Sequence, residues 1–140
     1  MAGKAQVAGS VVAGFPSPAE QYLEPPLDLN AKLVKRPAAT FFVRVVGDSM
    51  SGEGIRDGDI LVVDRSLTPA NGDIIIAAVD GEFTVKTYRS TFKTGADGRR
   101  HRFVTLEPAN PAYPTITVKP GQELDCFGKV TACIHQFCGK

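Results

Sequence analysis

The sequence predicts a small, curled, mostly β fold with antiparallel strands, short N-terminal helices and a flexible N-terminal arm. Three observations carry that reading. Fourteen glycines and ten prolines interrupt the 140 residues too often for long helices. The apolar runs have the length of strands and fall short of a buried helix. Turn signals separate them, the strongest being Asp80-Gly81 between two such runs.

Residues 1–16 are small and glycine-rich, with Gly3, Gly9 and Gly14, and hold no helical or strand period long enough to bury. Ser17-Pro18-Ala19-Glu20 has the form of a capping box with proline at the first helical position. It predicts a short helix to Leu23, ended by Pro25-Pro26. Asp28 caps a second helix, Leu29 to Lys35, with Leu29, Leu33 and Val34 on one face. The division is an arm over 1–27 and a β-rich domain over 28–140.

From Thr40 onward the reading is nearly all strand. Phe41 to Val46 stops at Gly47-Asp48, and Ser49-Met50 follow at once. Gly52, Gly54 and the turn Asp57-Gly58-Asp59 lead into Ile60 to Val63. Thr68 to Gly72 is a turn, and Asp73 to Val79 is a continuous apolar run, hence a buried strand. Glu82 to Tyr88 returns across Asp80-Gly81. Thr94 to Gly98 is a second hairpin tip, and His101 to Leu106, Thr115 to Val118 and Leu124 to Ile134 supply the remaining strands.

The formal net charge of +1 gives no global basic field for nucleic acid, and no apolar run approaches the roughly 20 residues of a membrane span. The first residues lack the apolar core of a secretion signal. Cys126, Cys133 and Cys138 are odd in number and form no C-x-x-C, which fits thiols in a reducing, cytoplasmic compartment. Cys133, His135 and Cys138 match no standard zinc spacing and lack a fourth ligand, so neither a metal nor a cofactor is expected.

Ser49 sits where a strand breaks into a glycine-rich turn, a place from which a scaffold presents a nucleophile. A serine hydroxyl needs a base. The two histidines, His101 and His135, lack an acidic sequence context that would make a triad. Lys86 is the other choice. Alternation along Glu82 to Lys86 puts Glu82, Thr84 and Lys86 on one face, and Phe83 and Val85 on the other. Burial that brings its pKa from about 10.4 to near 7 costs the charged form roughly 4–5 kcal/mol. The residues alone make the pair feasible and no more, since strand lysines are usually solvated.

Longer stretches carry a resemblance. Gly47-Asp48-Ser49-Met50, the segment Asp57 to Asp64, the segment Gly72 to Ala78 with Asp80 to Lys86, and Gly14-Phe15-Pro16-Ser17-Pro18-Ala19 are together similar to the UmuD/MucA branch of the LexA-like self-cleaving proteins. The similarity runs from about Ala13 to Ile134. It implies a serine peptidase that cuts its own chain between Ala13 and Gly14, with Ser49 as nucleophile, Lys86 as general base and the Ser49 N–H as oxyanion donor. Val7-Ala8-Gly9 is a second Val-Ala-Gly, but only Val12-Ala13-Gly14 is followed by Phe15-Pro16. Thirteen residues before the cut cannot build the helix-turn-helix of LexA-like repressors, so the resemblance implies the polymerase-accessory branch, without sequence-specific DNA binding. Its members form homodimers, cut themselves when stimulated by a RecA filament on single-stranded DNA, and join a UmuC-like Y-family polymerase in SOS mutagenesis and translesion synthesis. The Thr87 to Arg102 hairpin reads as longer and more basic than the branch's pattern.

Two other function classes stay open on sequence: a non-enzymatic β-module that docks on a polymerase, and a serine–lysine peptidase acting on other chains. Ser90-Thr91-Phe92-Lys93 and Lys93-Thr94-Gly95 fit S-x-x-K and K-T-G, but they share one lysine, have no S-D-N and lie in too short a chain for a β-lactamase. Asp57, Asp59 and Asp64 lack calcium-loop spacing and read as turn and cap residues.

Overall fold

In the computed structural model, which describes residues 4–7, 9–11, 13–14 and 24–138, the apolar runs become strands and the glycine turns join them. The chain forms two compact units, Met1–Lys35 and Arg36–Lys140. In the first, β1 (Ala5–Val7) pairs antiparallel with β2 (Glu24–Leu27). This corrects the reading of residues 1–16 as an arm without strand. Three residues bury almost nothing by themselves, and their partner lies well downstream, so no local period announces them. Pro25 and Pro26, expected to end a helix, sit inside β2; proline is tolerated there because a two-stranded sheet has only edges. The helix expected from Ser17 to Leu23 lies outside the described residues. The helix α1 (Leu29–Leu33) begins where Asp28 accepts a hydrogen bond from the Ala31 N–H at 3.2 Å, and it stops two residues before the expected Lys35.

The second unit is one antiparallel sheet built from β3 (Thr40–Arg44), β4 (Ile60–Asp64), β5 (Ile74–Val79), β6 (Glu82–Thr94), β7 (Arg100–Glu107), β8 (Ile116–Val118) and β9 (Leu124–Ile134). The spatial order is β3-β4-β9-β5-β6-β7-β8. The last strand is therefore inserted at the centre, between β4 and β5, and joins two halves that are otherwise sequential hairpins. Its register shifts between Val62 and Val63 on one side and between Ile76 and Ala77 on the other, which increases the local twist. Gly128 sits in this crowded stretch. A β-carbon there would lie 2.7 Å from Val63 Cγ1 and 3.0 Å from the Asp64 carbonyl oxygen, so only glycine lets the strands approach.

The run Ile74–Val79 is apolar throughout because both of its faces are covered. Ile76 packs with Val45, Met50, Ile55, Leu61 and Val63; Ile75 and Ala77 pack with Tyr88 and Leu106. Strand β6 runs to Thr94, well past the expected Tyr88, because β7 pairs with it from Thr87↔Glu107 to Thr94↔Arg100. Its distal part is polar and exposed on both faces, so no apolar alternation marks it. Strand β3 stops at Arg44 instead of Val46. There the Val45 N–H donates to the Asp59 carbonyl and the Gly58 N–H donates to the Val45 carbonyl, a turn contact that ends the ladder.

Candidate active site

The segment between β3 and β4 is folded so that one residue faces in and its neighbour faces a cleft. Met50 is fully buried in the core beneath it. Gly47 takes φ +95° to turn the chain out of β3, and its N–H donates to Asp57 Oδ1 at 2.7 Å. A 3-10 turn, Ser51–Glu53, follows, and Gly54 closes it in the left-handed region. Between these fixed points stands Ser49, half-buried.

A second loop clamps this turn from outside. The Ala109 N–H donates to the Ser49 carbonyl at 2.8 Å, and the Gly52 N–H donates to the Ala109 carbonyl at 2.7 Å. Asn110 Nδ2 donates to the Asp48 carbonyl at 3.1 Å, and the Tyr113 hydroxyl donates to Asp48 Oδ1 at 2.6 Å. That bond to a carboxylate pushes the Tyr113 pKa up. A methyl group on Gly52 would run into the Ala109 carbonyl oxygen. The sequence reading passed over Asn110 and Tyr113. The one signal for them is the turn-rich Pro108-Ala109-Asn110-Pro111 between two strands.

Lys86 lies on β6, opposite Ile75. Its Nζ is 3.0 Å from Ser49 Oγ, 2.6 Å from Thr84 Oγ1 and 3.1 Å from the Val85 carbonyl oxygen. All three partners are neutral oxygens, and among the described residues Lys86 forms no ion pair. At 7% exposure, burial lowers its pKa from the ordinary 10.5, since no opposite charge makes up for the lost hydration of the ammonium. A neutral amine has two hydrogens and one lone pair. Donating to Thr84 and Val85 leaves the lone pair for the serine hydroxyl, which is the geometry of a base. Thr84 lies on the same face two residues earlier, so the strand itself places this third group.

Serine and lysine open onto a cleft of about 360 Å³, lined by the β3 end (Val43 to Val46), by Phe83 and by Tyr113. Its walls mix apolar side chains with Arg44, Asp48 and Thr84, and one runs along the edge strand β3. Among the described residues no carbonyl takes the Ser49 N–H. Ala13 and Gly14 belong to the other unit and are exposed; Gly14 has φ +105° with open space where a β-carbon would stand. The histidines do have acidic partners that the sequence did not disclose. His101 meets Asp97 at 2.9 Å, and His135 Nδ1 meets the buried Asp59 at 2.5 Å across β4 and β9. Neither lines the cleft. Asp59 also accepts from the Arg56 N–H at 2.8 Å and Cys133 Sγ at 3.3 Å. Burial alone would raise the Asp59 pKa, but these hydrogen bonds outweigh it and hold it below 3.8. Burial, helped by the bond to Asp59, pushes the Cys133 thiol up to about 11, the opposite of a reactive cysteine. Asp57, Asp59 and Asp64 all accept turn N–H groups.

A serine on a tight turn and a buried lysine without a carboxylate partner thus meet at the mouth of one cleft. The model of the peptidase S24-like family matches residues 6–131, and the chain belongs to that family. Its relatives are UmuD-like. The chain is 51% identical to Protein SamA of Salmonella typhimurium over 89% of its own length and 79% of that protein. It is 45% identical to Protein ImpA of Escherichia coli over 89% and 78%, and 39% identical to Protein MucA of the same organism over 91% and 83%. Among the described residues no helix is long and apolar enough to cross a membrane.

Proposed function

We propose that the protein is a self-cleaving accessory subunit of SOS mutagenesis, in which Ser49 and Lys86 cut the bond between Ala13 and Gly14. The observation that carries this is Lys86 Nζ, buried without a carboxylate and 3.0 Å from Ser49 Oγ, in a chain of the S24-like family. Ser49 Oγ attacks the Ala13 carbonyl carbon as its proton passes to Lys86 Nζ. The oxyanion forms against the Ser49 N–H. Lys86 returns the proton to the Gly14 amine, which leaves, and water then hydrolyses the Ala13 ester with Lys86 again as base. Small residues at Ala13 and Gly14 suit an extended strand entering a narrow cleft.

In this reading the arm, 1–27, delivers the bond to the domain, 28–140, of its own subunit or of the other subunit of a homodimer. A RecA filament on single-stranded DNA stimulates the cut in the cytoplasm, and the shortened dimer joins a UmuC-like Y-family polymerase. The similarity to SamA, ImpA and MucA supports this branch.

The test is intact-mass spectrometry of the purified chain before and after alkaline incubation, with and without RecA on single-stranded DNA, beside Ser49→Ala and Gly14→Trp. Loss of Met1–Ala13 from wild type alone is the expected result. No cut under either condition would replace the peptidase with a docking module. Cutting of other chains while its own arm stays whole would make it a peptidase acting in trans.

A further inference from the structure

The distal half of the β6–β7 hairpin takes no part in the cleft. Residues 89–102 carry Arg89, Lys93, Arg99, Arg100 and Arg102 against Asp97 alone, a balance of +4. The whole chain is +1, so everything outside this hairpin sums to −3. The charge is therefore segregated onto one projection of an otherwise acidic molecule. Arg89 is paired with Glu107 at 3.0 Å, and Asp97 is taken by His101. Among the described residues Lys93, Arg99, Arg100 and Arg102 have no carboxylate partner.

Three of these cations are also held in place. The Arg100 guanidinium lies 5.4 Å from the Phe92 ring centre, and the Lys93 ammonium 5.6 Å from that of Phe103. Arg102 Nε donates to Ser90 Oγ at 2.7 Å, and its Nη2 donates to the Tyr88 hydroxyl. Phe92 stands opposite Arg102 in the ladder, 59% exposed, although an aromatic ring usually seeks a core.

We propose that the β6–β7 hairpin is a binding ribbon for single-stranded nucleic acid, with Arg99 at its tip and Arg100 and Arg102 on Phe92's face of the ladder taking the phosphates, and Phe92 stacked against a base. Two held arginines beside a half-exposed ring on one face fit a polymer that alternates phosphates with flat π surfaces. An acidic polypeptide supplies charge but nothing for the ring, and paired bases of a duplex have their faces covered. The contact is sequence-independent and does not rest on the peptidase reading, since it uses none of the cleft residues.

The experiment is fluorescence anisotropy of the full chain with a labelled oligo(dT) over a salt series, beside duplex DNA and polyglutamate as competitors. Arg99→Gln/Arg100→Gln/Arg102→Gln and Phe92→Ala are compared with wild type after circular dichroism shows each is folded. Wild type is expected to bind with a slope of log affinity on log salt of about −2 to −3, at about −0.7 per phosphate. The triple variant is expected to flatten that slope by about 2. Phe92→Ala is expected to weaken binding about 5- to 150-fold with the slope kept. No binding at low salt, or an unchanged slope in the triple variant, overturns the proposal. Stronger competition by polyglutamate overturns it in favour of an acidic protein. Equal competition by duplex, with Phe92→Ala silent, overturns the single-strand assignment.

Discussion

Two lysines on one strand show how far position decides chemistry. Lys86 and Lys93 both belong to β6 and both are drawn from the same polar-looking stretch. Lys86 lies where β6 pairs with the buried strand β5, opposite Ile75. It is buried, surrounded by neutral oxygens and held below its ordinary pKa. Lys93 lies where only β7 pairs with β6, is exposed, and rests over Phe103. Burial makes the first easier to deprotonate than an ordinary lysine, as a base must be; the second lies in solvent, open to an anionic partner. The S-x-x-K motif illustrates the same lesson. Ser90 and Lys93 are three apart on a strand, so alternation sends them to opposite faces.

The largest effect tests this contrast directly. Ser49→Ala and Lys86→Ala are each expected to lower self-cleavage by about 10⁴-fold or more, to background, with folding intact. Lys93→Ala is expected to leave the rate at wild type. Intact mass over a time course reads all three, and a slow Lys93→Ala would erase the distinction between the two lysines.

Next in size is the clamp that holds the nucleophile. Gly52→Ala drives a methyl group into the Ala109 carbonyl oxygen, and the turn must shift. Displacing Ser49 by a fraction of an ångström from Lys86 is expected to slow cleavage about 10²-fold while the far-UV spectrum stays native. Wild-type cleavage in that variant would show that the turn tolerates movement and that Ala109 does not position it.

A pH series sharpens the claim about Lys86. Its amine must be neutral to take the serine proton, so the rate is expected to rise about tenfold per pH unit and to level off below the ordinary lysine value of 10.5. The same shift has a stability consequence of fixed sign. Between the lowered pKa and 10.5 the unfolded chain binds more protons at this residue than the folded one, so its contribution to stability rises with pH through that window. A flat rate profile from pH 7 to 10 would remove lysine as the base.

Most of the sheet was legible in the sequence because its strands are apolar runs cut by glycine turns. Ile74–Val79 needed only that. What escaped had no local signal. The β1–β2 pair depends on two short segments far apart, and the distal part of β6 is polar on both faces. The pairing of Asp59 with His135 is set by β9 lying beside β4, a matter of topology. At the site, Ser49 was visible from the break in its strand and Lys86 from hairpin alternation with a family resemblance, and their approach to 3.0 Å is a property of the fold alone. Asn110 and Tyr113 were not singled out, since polar turn residues between strands usually do nothing more than turn the chain.

The two aspartate–histidine pairs carry the comparison to its smallest effect on cleavage. Asp59 is buried and receives hydrogen bonds from His135, Cys133 and the Arg56 N–H, while Asp97 and His101 meet at the exposed hairpin tip. Removing one partner of a buried pair strands the other, so Asp59→Ala is expected to destabilise the fold by about 3 kcal/mol. Asp97→Ala is expected to leave the urea midpoint where it was, because an exposed pair exchanges one set of solvated contacts for another. Neither residue lines the cleft, so the cleavage rate of the folded protein should be unchanged in both. The carboxyl of Asp59 is held low in the folded chain, so its contribution is complete above the ordinary carboxylate range and drains away as the pH falls through its lowered value. Asp59→Asn should therefore lose less stability on acidification than wild type. Urea titrations at pH 7 and at about pH 2, well below the ordinary carboxylate value, decide it: parallel losses in the two proteins would mean that Asp59 is not the group whose charge the buried pair depends on.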